Sequence, residues 1–174
     1  MTRIRVQPTG RESPFREDEI IVSKTDLKGR LTYANDVFLR VSGFTAKDVV
    51  GQPHSIIRHP DMPRTVFKLL WETIEAKAEI FAYVLNMASN GDHYWVLAHV
   101  TPSFDAQGKV VGYHSNRRKP HRDKVEKIIP IYQSLLAEEA KIANLKEGML
   151  GAYNHLMSDL SAKGIGYDEF VLSL

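Results

Sequence analysis

The stretch from Gly51 to Pro63 contains two His, one Arg and one Asp, and three prolines restrict its backbone. Proline fixes its own φ and limits the residue before it, so we expect this loop to be stiff. Its polar side chains are therefore held in preset positions. These side chains belong to His54, Arg58, His59 and Asp61. Preset donors and acceptors of this kind suit the polar edge of a ligand.

A second stretch, from Asn90 to Trp95, predicts a tight turn followed by a strand with aromatic residues. Asn90 and Gly91 can adopt the positive φ angles that such a turn requires. An aromatic strand opposite a cluster of hydrogen-bonding groups suits a ligand that is planar and has polar edges. Arg117, at the end of the last predicted strand, can reach the same cleft.

The composition argues against several classes of protein. With 23 Lys and Arg against 21 Asp and Glu, the net charge of +2 is too balanced to predict binding to nucleic acid or to an anionic membrane. No apolar run approaches the ~18 residues that span a bilayer, and no signal peptide is evident, so we expect a soluble cytoplasmic protein. The chain has no cysteine, and hence no disulfide, thiolate metal site or cysteine adduct to a cofactor.

The residue pattern also predicts the elements that position these groups. Residues 1–18 form a polar arm that we expect to be disordered or docked against a partner. Residues 19–118 form an α+β domain of five strands, one short helix capped by Asn35 and stopped by Gly43, and one longer helix from Thr65 to about Ala78. The strands are predicted near Ile20–Ser23, Leu31–Tyr33, Ile80–Met87, Tyr94–Thr101 and Val110–Ser115.

Residues 119–174 form a tail of amphipathic helices. A heptad pattern from Val125 to Leu160 is apolar at all a and d positions except Glu139 and Lys146. Pro130 favours a helix start near that residue, and Gly148 with Gly151 indicates a break into two helices. We expect the first half to cover the sheet and the second half to form a homodimer, while the apolar end, 164–172, docks against another surface.

Several stretches follow one another in an order known from one family. They are Asp26-Leu27, Tyr33-Ala34-Asn35-Asp36, Val41-Ser42-Gly43-Phe44, Gly51-Gln52-Pro53-His54, Arg58-His59-Pro60-Asp61-Met62-Pro63, Trp71 and Asn90-Gly91-Asp92-His93-Tyr94-Trp95. Together they resemble a PAS domain of the aerotaxis-receptor type, over roughly residues 19–135. The segment 58–63 is specific to that branch. The resemblance implies a PAS fold, a five-stranded antiparallel sheet with short helices over one face.

The resemblance further implies a sensor that binds FAD non-covalently and reports respiratory or oxygen status. The positions it assigns to the flavin are Asn35, Arg58, His59, Asp61, Trp71, Asn86 and Tyr94. We add Arg117, because it lies at the end of the last predicted strand and can reach the ligand cleft. The amide of Asn86 can pair with the edge of the flavin ring, and Arg58 can meet a pyrophosphate or an anionic reduced ring. The branch usually carries Gly-x-Pro-Trp where this chain has Lys77-Ala78-Glu79-Ile80.

Structural explanations exist for the same residues. From spacing alone, Arg58, His59 and Asp61 fit a salt bridge and a set of hydrogen bonds that brace the loop. The resemblance instead favours ligand binding. Asn35 is also explained as a helix cap, and Trp71 as a core anchor. His54 and His93 are expected to brace turns or to face solvent. Together with His59 they could form a metal site, but no His-Glu helical spacing supports one.

Two functions remain open from the sequence. No Gly-rich phosphate loop, Gly-x-Ser-x-Gly elbow or cysteine nucleophile is present, so we do not expect an enzyme. The first hypothesis is a flavin redox sensor, which passes its signal by contact with a partner such as a chemoreceptor or a kinase, in energy taxis or related signal transduction. The alternative is a cofactor-free PAS module for dimerisation or scaffolding. The basic run 117–124 is interpreted as a solvated junction, not as a nucleic-acid site.

Overall fold

The computed structural model describes residues 6–174 of the chain. Five antiparallel strands, numbered along the chain, form one sheet in the order second, first, fifth, fourth, third, with two short helices, a 3-10 turn and a longer helix over one face. This confirms the predicted α+β architecture. The strands are β1 (Ile21–Thr25), β2 (Leu31–Ala34), β3 (Ile80–Met87), β4 (His93–Phe104) and β5 (Val110–Arg118). The helices are α1 (Asp36–Ser42), α2 (Ala46–Val49), α3 (Arg64–Glu75), α4 (Arg122–Ala140), α5 (Leu145–Lys163) and α6 (Tyr167–Ser173), with the 3-10 turn at His54–Ile57.

Local sequence signals set the bounds of the first helix. The side chain of Asn35 accepts a hydrogen bond from the backbone N–H of Phe38, which caps α1. Gly43 ends the helix in the left-handed conformation at φ 67°, which glycine adopts without steric penalty. Both ends of α1 therefore follow from single residues.

The strand register brings separate polar residues onto one face of the sheet. Arg117 of β5 lies between Ala98 of β4 and Ile21 of β1, while Ser115 pairs with Ser23. Successive side chains of a strand point to opposite faces, so residues two apart on each strand share a face. This face is the one that the short helices cover.

The N-terminal arm is docked on its own domain over residues 9–15. The backbone N–H of Thr9 donates to the carbonyl of Gly91 at 3.0 Å, and that of Ser13 donates to the carbonyl of His93 at 2.8 Å. Phe15 is buried in the core. The expectation of disorder or of a separate partner was wrong for this part, because the hairpin 90–93 offers the arm open backbone groups. Residues 1–5 lie outside the described residues.

The tail folds back as a helical hairpin and does not continue as one heptad seam. Helix α4 packs Tyr132 against Trp95, on the face of the sheet opposite to Tyr94, and α5 then returns along α4 and α3. The predicted break at Gly148 was wrong: the turn lies at 141–144, and Asn144 caps α5. The predicted start near Pro130 was also wrong, since α4 begins at Arg122 and contains the proline.

The C-terminal elements close the free edge of β3. The carboxylate of Asp168 in α6 accepts from the backbone N–H of Phe81 at 2.8 Å. The hydroxyl of Tyr132 donates to the carbonyl of Tyr83 at 2.5 Å. The expected docking of the apolar end is therefore seen against this strand. In the part of the chain from residue 6 onward, no helix combines the length and hydrophobicity that a membrane span requires.

Candidate ligand-binding site

A cavity of about 230 Å³ lies between the covered face of the sheet and helix α3. Its walls are largely apolar and aromatic, and its polar groups come from β1, β3, β5 and the loop before α3. The apolar lining includes Phe67, Leu70, Trp71, Ile74, Val84 and Val100. The polar lining includes Ser23, Thr25, His54, Arg58, Asn86 and Arg117. Apolar walls with a few convergent polar groups are typical of a small-molecule site.

Trp71 shapes one wall of the cavity. Its ring contacts that of Tyr113 edge-on, with centroids 5.6 Å apart and an angle of 84°. The turn between β1 and β2 approaches the same ring at Gly29, whose φ is 74°. A Cβ atom at this position would lie 2.8 Å from the Trp71 ring. The turn therefore requires glycine both for its positive φ and for the close approach of the ring.

Arg117 is a buried cation at the back of the cavity, with 2% of its surface exposed. Its Nε donates to Ser115 Oγ at 3.0 Å, its Nη2 donates to Ser23 Oγ, and its guanidinium lies 5.4 Å from the ring centroid of Phe38. No carboxylate within residues 6–174 forms an ion pair with it. Burial lowers the pKa of Arg117 to about 10, which leaves it positively charged at neutral pH.

His54 shares the hydroxyl of Ser23 with Arg117. Its Nε2 lies 3.2 Å from Ser23 Oγ. Burial, followed by the positive charge of Arg117, lowers the pKa of His54 to about 3, so the imidazole is neutral at physiological pH. Because Arg117 donates to the Ser23 oxygen, the Ser23 hydroxyl hydrogen is free to point at His54. His54 was expected to brace a turn or to face solvent; its backbone N–H does donate to the carbonyl of Gly29 across the turn, while its ring also lines the cavity.

Several buried polar atoms of this region have no hydrogen-bond partner within residues 6–174. They are Thr25 Oγ1, Asn86 Nδ2, Tyr94 Oη and Arg117 Nη1. Buried polar groups are nearly always paired, so each unpaired one needs an explanation. Three of the four belong to residues that line the cavity, and two of those atoms are N–H donors. A ligand with acceptor atoms along one edge would satisfy them.

Arg58 lies at the mouth of the cavity. Its Nη2 donates to the carbonyl of Met62 at 3.2 Å, and its guanidinium lies 4.3 Å from the ring centroid of Phe67. It also lines a second, more open crevice of about 560 Å³, together with His59 and Arg64. Arg58 therefore borders both the cavity and the crevice, whose lining also carries the cation of Arg64 and the carboxylate of Glu139.

The structure brings together four of the eight residues predicted from the sequence. Arg58, Trp71, Asn86 and Arg117 line the cavity. The side chain of Asn35 accepts from the backbone N–H groups of Val22 and Phe38 and donates to the carbonyl of Ile20. These contacts match its alternative role as a helix cap.

The other three residues do not line the cavity. The Nδ1 of His59 accepts from the backbone N–H of Asp61 at 3.1 Å, an arrangement that braces the loop as the structural explanation predicted. The side chain of Asp61 is exposed, whereas Tyr94 is buried with its ring edge-on to Phe15. No group of three or more His, Asp or Glu in the described part of the chain is placed to hold a metal ion.

Sequence reasoning missed Ser23, Thr25 and Phe67. The alternation along β1 was a usable signal, because Ile21, Ser23 and Thr25 must share a face and Ile21 belongs in the core. The pairing of Ser23 with His54 had no local signal, since it joins residues 31 positions apart.

Comparison with known proteins assigns this architecture to a family. Residues 31–117, half of the chain, match the family described as PAS fold, and the chain belongs to that family. In sequence it is 35% identical over 169 residues to the aerotaxis receptor of Escherichia coli (strain K12), an alignment that covers 94% of this chain. The similarity to this receptor therefore extends beyond the PAS match into the tail.

More distant relatives agree on the fold. The nitrogen fixation regulatory protein of Klebsiella pneumoniae is 26% identical over 99 residues, 57% of this chain. The light-state structure of the blue-light photoreceptor Aureochrome1 LOV superposes with a TM-score of 0.57 and 22% identity, covering 65% of this chain and 91% of that one. The present chain spans 33% of the length of the aerotaxis receptor and 20% of that of the nitrogen fixation regulatory protein.

Proposed function

We propose that the protein is a redox sensor, which binds FAD non-covalently in the cavity and passes its signal by contact with another protein. The observation that carries this proposal is the buried cation of Arg117. It lacks a carboxylate among the described residues and shares the cavity lining with the unpaired amide of Asn86. A buried charge without a counter-charge is unfavourable even when it is hydrogen-bonded, so this position calls for a ligand that brings negative charge or acceptor atoms.

The residues of the cavity fit the ring system of a flavin. Apolar side chains such as Leu70 and Val100 would contact the ring faces, while Asn86 and Arg117 would meet acceptor atoms along its edge. The cavity volume of about 230 Å³ lies below the ~300–1,000 Å³ of typical drug-sized sites. We therefore assign only the ring to the cavity. The phosphates would lie outside it, near Arg58 and Arg64 of the second crevice.

The chemistry follows from how these residues respond to charge. A bound flavin supplies reversible acceptance of electrons. The charge of Arg117 favours negative charge in the cavity. Negative charge beside Arg117 would also weaken the repulsion that helps to keep His54 neutral, so the pKa of His54 would rise. The Ser23 hydroxyl, which lies between these two side chains, can reorient in response. Arg117, Ser23 and His54 thus form a group whose hydrogen bonds depend on the charge of the ligand.

The signal is proposed to leave through the tail, in a homodimer or in a complex with a signalling partner such as a chemoreceptor or a kinase in the cytoplasm. Helix α5 supports this because it exposes apolar side chains on the outside of the hairpin. They include Leu145, which is 61% exposed, Leu150 and Met157. Exposed apolar side chains on a helix are suited to contact with another helix.

Absorption spectroscopy tests the proposal most directly. Gently purified protein should show flavin bands near ~450 nm, and denaturation should release the flavin intact because binding is non-covalent. Chromatography of the released compound should identify FAD rather than FMN. Colourless protein that cannot be reconstituted with FAD would contradict the proposal and favour the cofactor-free dimerisation module.

A further inference from the structure

Helix α3 presents opposite faces to the cavity and to the tail. Residues of the inner face, at the spacing of one helical side, line the cavity; they are Phe67, Leu70, Trp71 and Ile74. Residues of the outer face contact α4 or α5; they are Thr65, Lys68 and Glu72. The helix is therefore a wall that the cavity and the tail share.

The main outer contact lies at the start of α3. Pro63 precedes the helix and has no side-chain acceptor for the amides of the first turn. Glu139 of α4 supplies one: its Oε1 accepts from the backbone N–H and from the hydroxyl of Thr65, both at 2.8 Å. A carboxylate also interacts favourably with the positive end of the helix dipole. The tail thus provides the N-terminal cap of the cavity helix.

The same carboxylate acts on a cavity residue. Burial and the charge of Arg64 lower the pKa of Arg58, and the negative charge of Glu139 opposes them. Arg58 in turn lies over the ring of Phe67 on α3. A displacement of Glu139 would therefore alter both the start of the helix and the charge balance at the mouth of the cavity.

A second contact holds the middle of α3 to α5. The ammonium group of Lys68 lies 4.5 Å from the ring centroid of Tyr153. The carboxylate of Glu72 beside the hydroxyl of Tyr153 raises the pKa of Tyr153 to about 12. Two tail helices therefore hold the outer face of α3 along its length.

We propose that docking of the tail and binding of a ligand in the cavity are coupled through α3, with Glu139 as the positioning residue. The inference rests on the proposed function in taking the cavity as the ligand site. A docked tail orders the outer face of α3, and a ligand orders its inner face. Once either event has ordered α3, the other loses less conformational entropy. Tail docking therefore raises the affinity for the ligand, and by linkage ligand binding stabilises the docked tail to the same extent.

The chain offers two independent ways to disturb this contact. Glu139→Ala removes the acceptor, and Glu138→Ala is its matched control, because Glu138 pairs instead with Lys141. In α5, a Cβ on Gly148 would overlap the carbonyl oxygen of Glu139, so Gly148→Ala displaces the end of α4 without removing the Glu139 carboxylate. Gly151→Ala is the control in the same helix, since no atom lies within 4 Å of its new Cβ.

The chain has no native cysteine, so one introduced cysteine would be its single reactive thiol. The rate at which that thiol is labelled reports access to the cavity without any flavin. Ala98→Cys places a single thiol in the cavity lining. In this background, we expect a small thiol reagent to label E139A and G148A at least about fivefold faster than the parent, whereas E138A and G151A label at the parent rate. Unchanged labelling in both E139A and G148A, with folding verified by circular dichroism, would overturn the inference.

FAD binding supplies the second measurement, in proteins without the introduced thiol. We expect the Kd for FAD to rise at least about fivefold in G148A, which keeps the Glu139 carboxylate, and to stay unchanged in G151A. E139A is left out of this comparison because Glu139 lines the crevice proposed for the phosphates, where loss of its negative charge would itself favour binding. An equal Kd in wild type, G148A and G151A would overturn the coupling even if labelling differs. Failure of the wild-type protein to bind FAD would contradict the proposed function instead, and thiol labelling would then decide the coupling by itself.

Discussion

Arg117 and Ser23 are hydrogen-bonded across the β5–β1 strand pair, with the guanidinium on one strand and the hydroxyl on the other. The serine oxygen is also within hydrogen-bond distance of His54. One small hydroxyl group therefore joins a buried cation to a half-buried, neutral imidazole. The arrangement places a fixed positive charge in an apolar cavity, where it interacts strongly with any charge on a ligand.

Arg117→Met should weaken ligand binding without lowering the stability of the ligand-free protein. Methionine can fill similar space without a buried charge, so the free energy of unfolding of the ligand-free protein should stay equal or rise. FAD affinity should fall by about 2 kcal/mol, since a charge-assisted hydrogen bond is lost. Arg118→Met, at the exposed neighbouring position, is the control and should change neither quantity. Unaltered FAD affinity in R117M would remove Arg117 from the site.

Arg58→Ala separates a ligand role from a structural one. Loss of a charge at the mouth of the cavity should weaken FAD binding by ~2 kcal/mol or more, measured by titration of flavin fluorescence. Arg30→Ala is the matched control, because Arg30 also donates to a backbone carbonyl, that of Gly51 at 3.0 Å, but on the surface. A drop in apo stability with no change in flavin affinity would instead assign Arg58 to bracing the loop.

His54 should make the ligand-free protein less stable as the pH falls. The folded pKa of about 3 lies below the ordinary value of 6.5, so between these values the unfolded chain binds a proton that the folded protein excludes. The contribution of His54 should therefore decline by about 1.5 kcal/mol from pH 6.5 to pH 5. Urea unfolding at several pH values would measure it.

His54→Gln is the test variant for this pH dependence. It removes the titration, so its stability should fall less steeply with decreasing pH than that of the wild-type protein. A residual slope is expected because burial lowers the pKa of His59 in the same direction. Identical slopes in H54Q and wild type would show that His54 does not titrate as its surroundings predict.

Tyr132→Phe should loosen the tail. The hydroxyl of Tyr132 donates to the carbonyl of Tyr83 on the sheet edge, and its removal leaves that buried carbonyl without this partner. We expect a loss of about 1–2 kcal/mol in the free energy of unfolding. Tyr33→Phe, at a side chain that is 47% exposed, should change stability by less than about 0.5 kcal/mol. Equal effects of the two changes would argue against a structural role for the Tyr132 hydroxyl.

Local signals in the sequence were enough to predict the PAS core. The apolar run Ile80–Met87 was predicted with the bounds that β3 has in the structure, because the Asn90-Gly91 turn ends it clearly. The tail was predicted less well, since Gly148 was interpreted as a helix break. Gly148 instead lies within α5, where the absence of a side chain allows α5 to approach the backbone of Glu139 closely. The true start of α5 had a signal in Asn144, a favoured capping residue whose side chain accepts from Lys146 and Glu147.

The candidate site was predictable only in part. The resemblance to the aerotaxis-receptor branch pointed to Arg58, Trp71 and Asn86, which do line the cavity. The unpaired charge of Arg117 could not be predicted, because the absence of a nearby carboxylate is a property of the packed structure. The flavin contacts assigned to Asn35, His59, Asp61 and Tyr94 stay predictions.

The closure of the β3 edge has a consequence for solubility. An edge strand with free N–H and C=O groups is a template on which another chain can add a strand and start an aggregate. Asp168 and Tyr132 occupy such groups on Phe81 and Tyr83, and both come from the last third of the chain. A protein truncated after β5 would lack both groups and present these backbone atoms of β3 to other chains. During synthesis the same atoms stay exposed until α4 and α6 have left the ribosome.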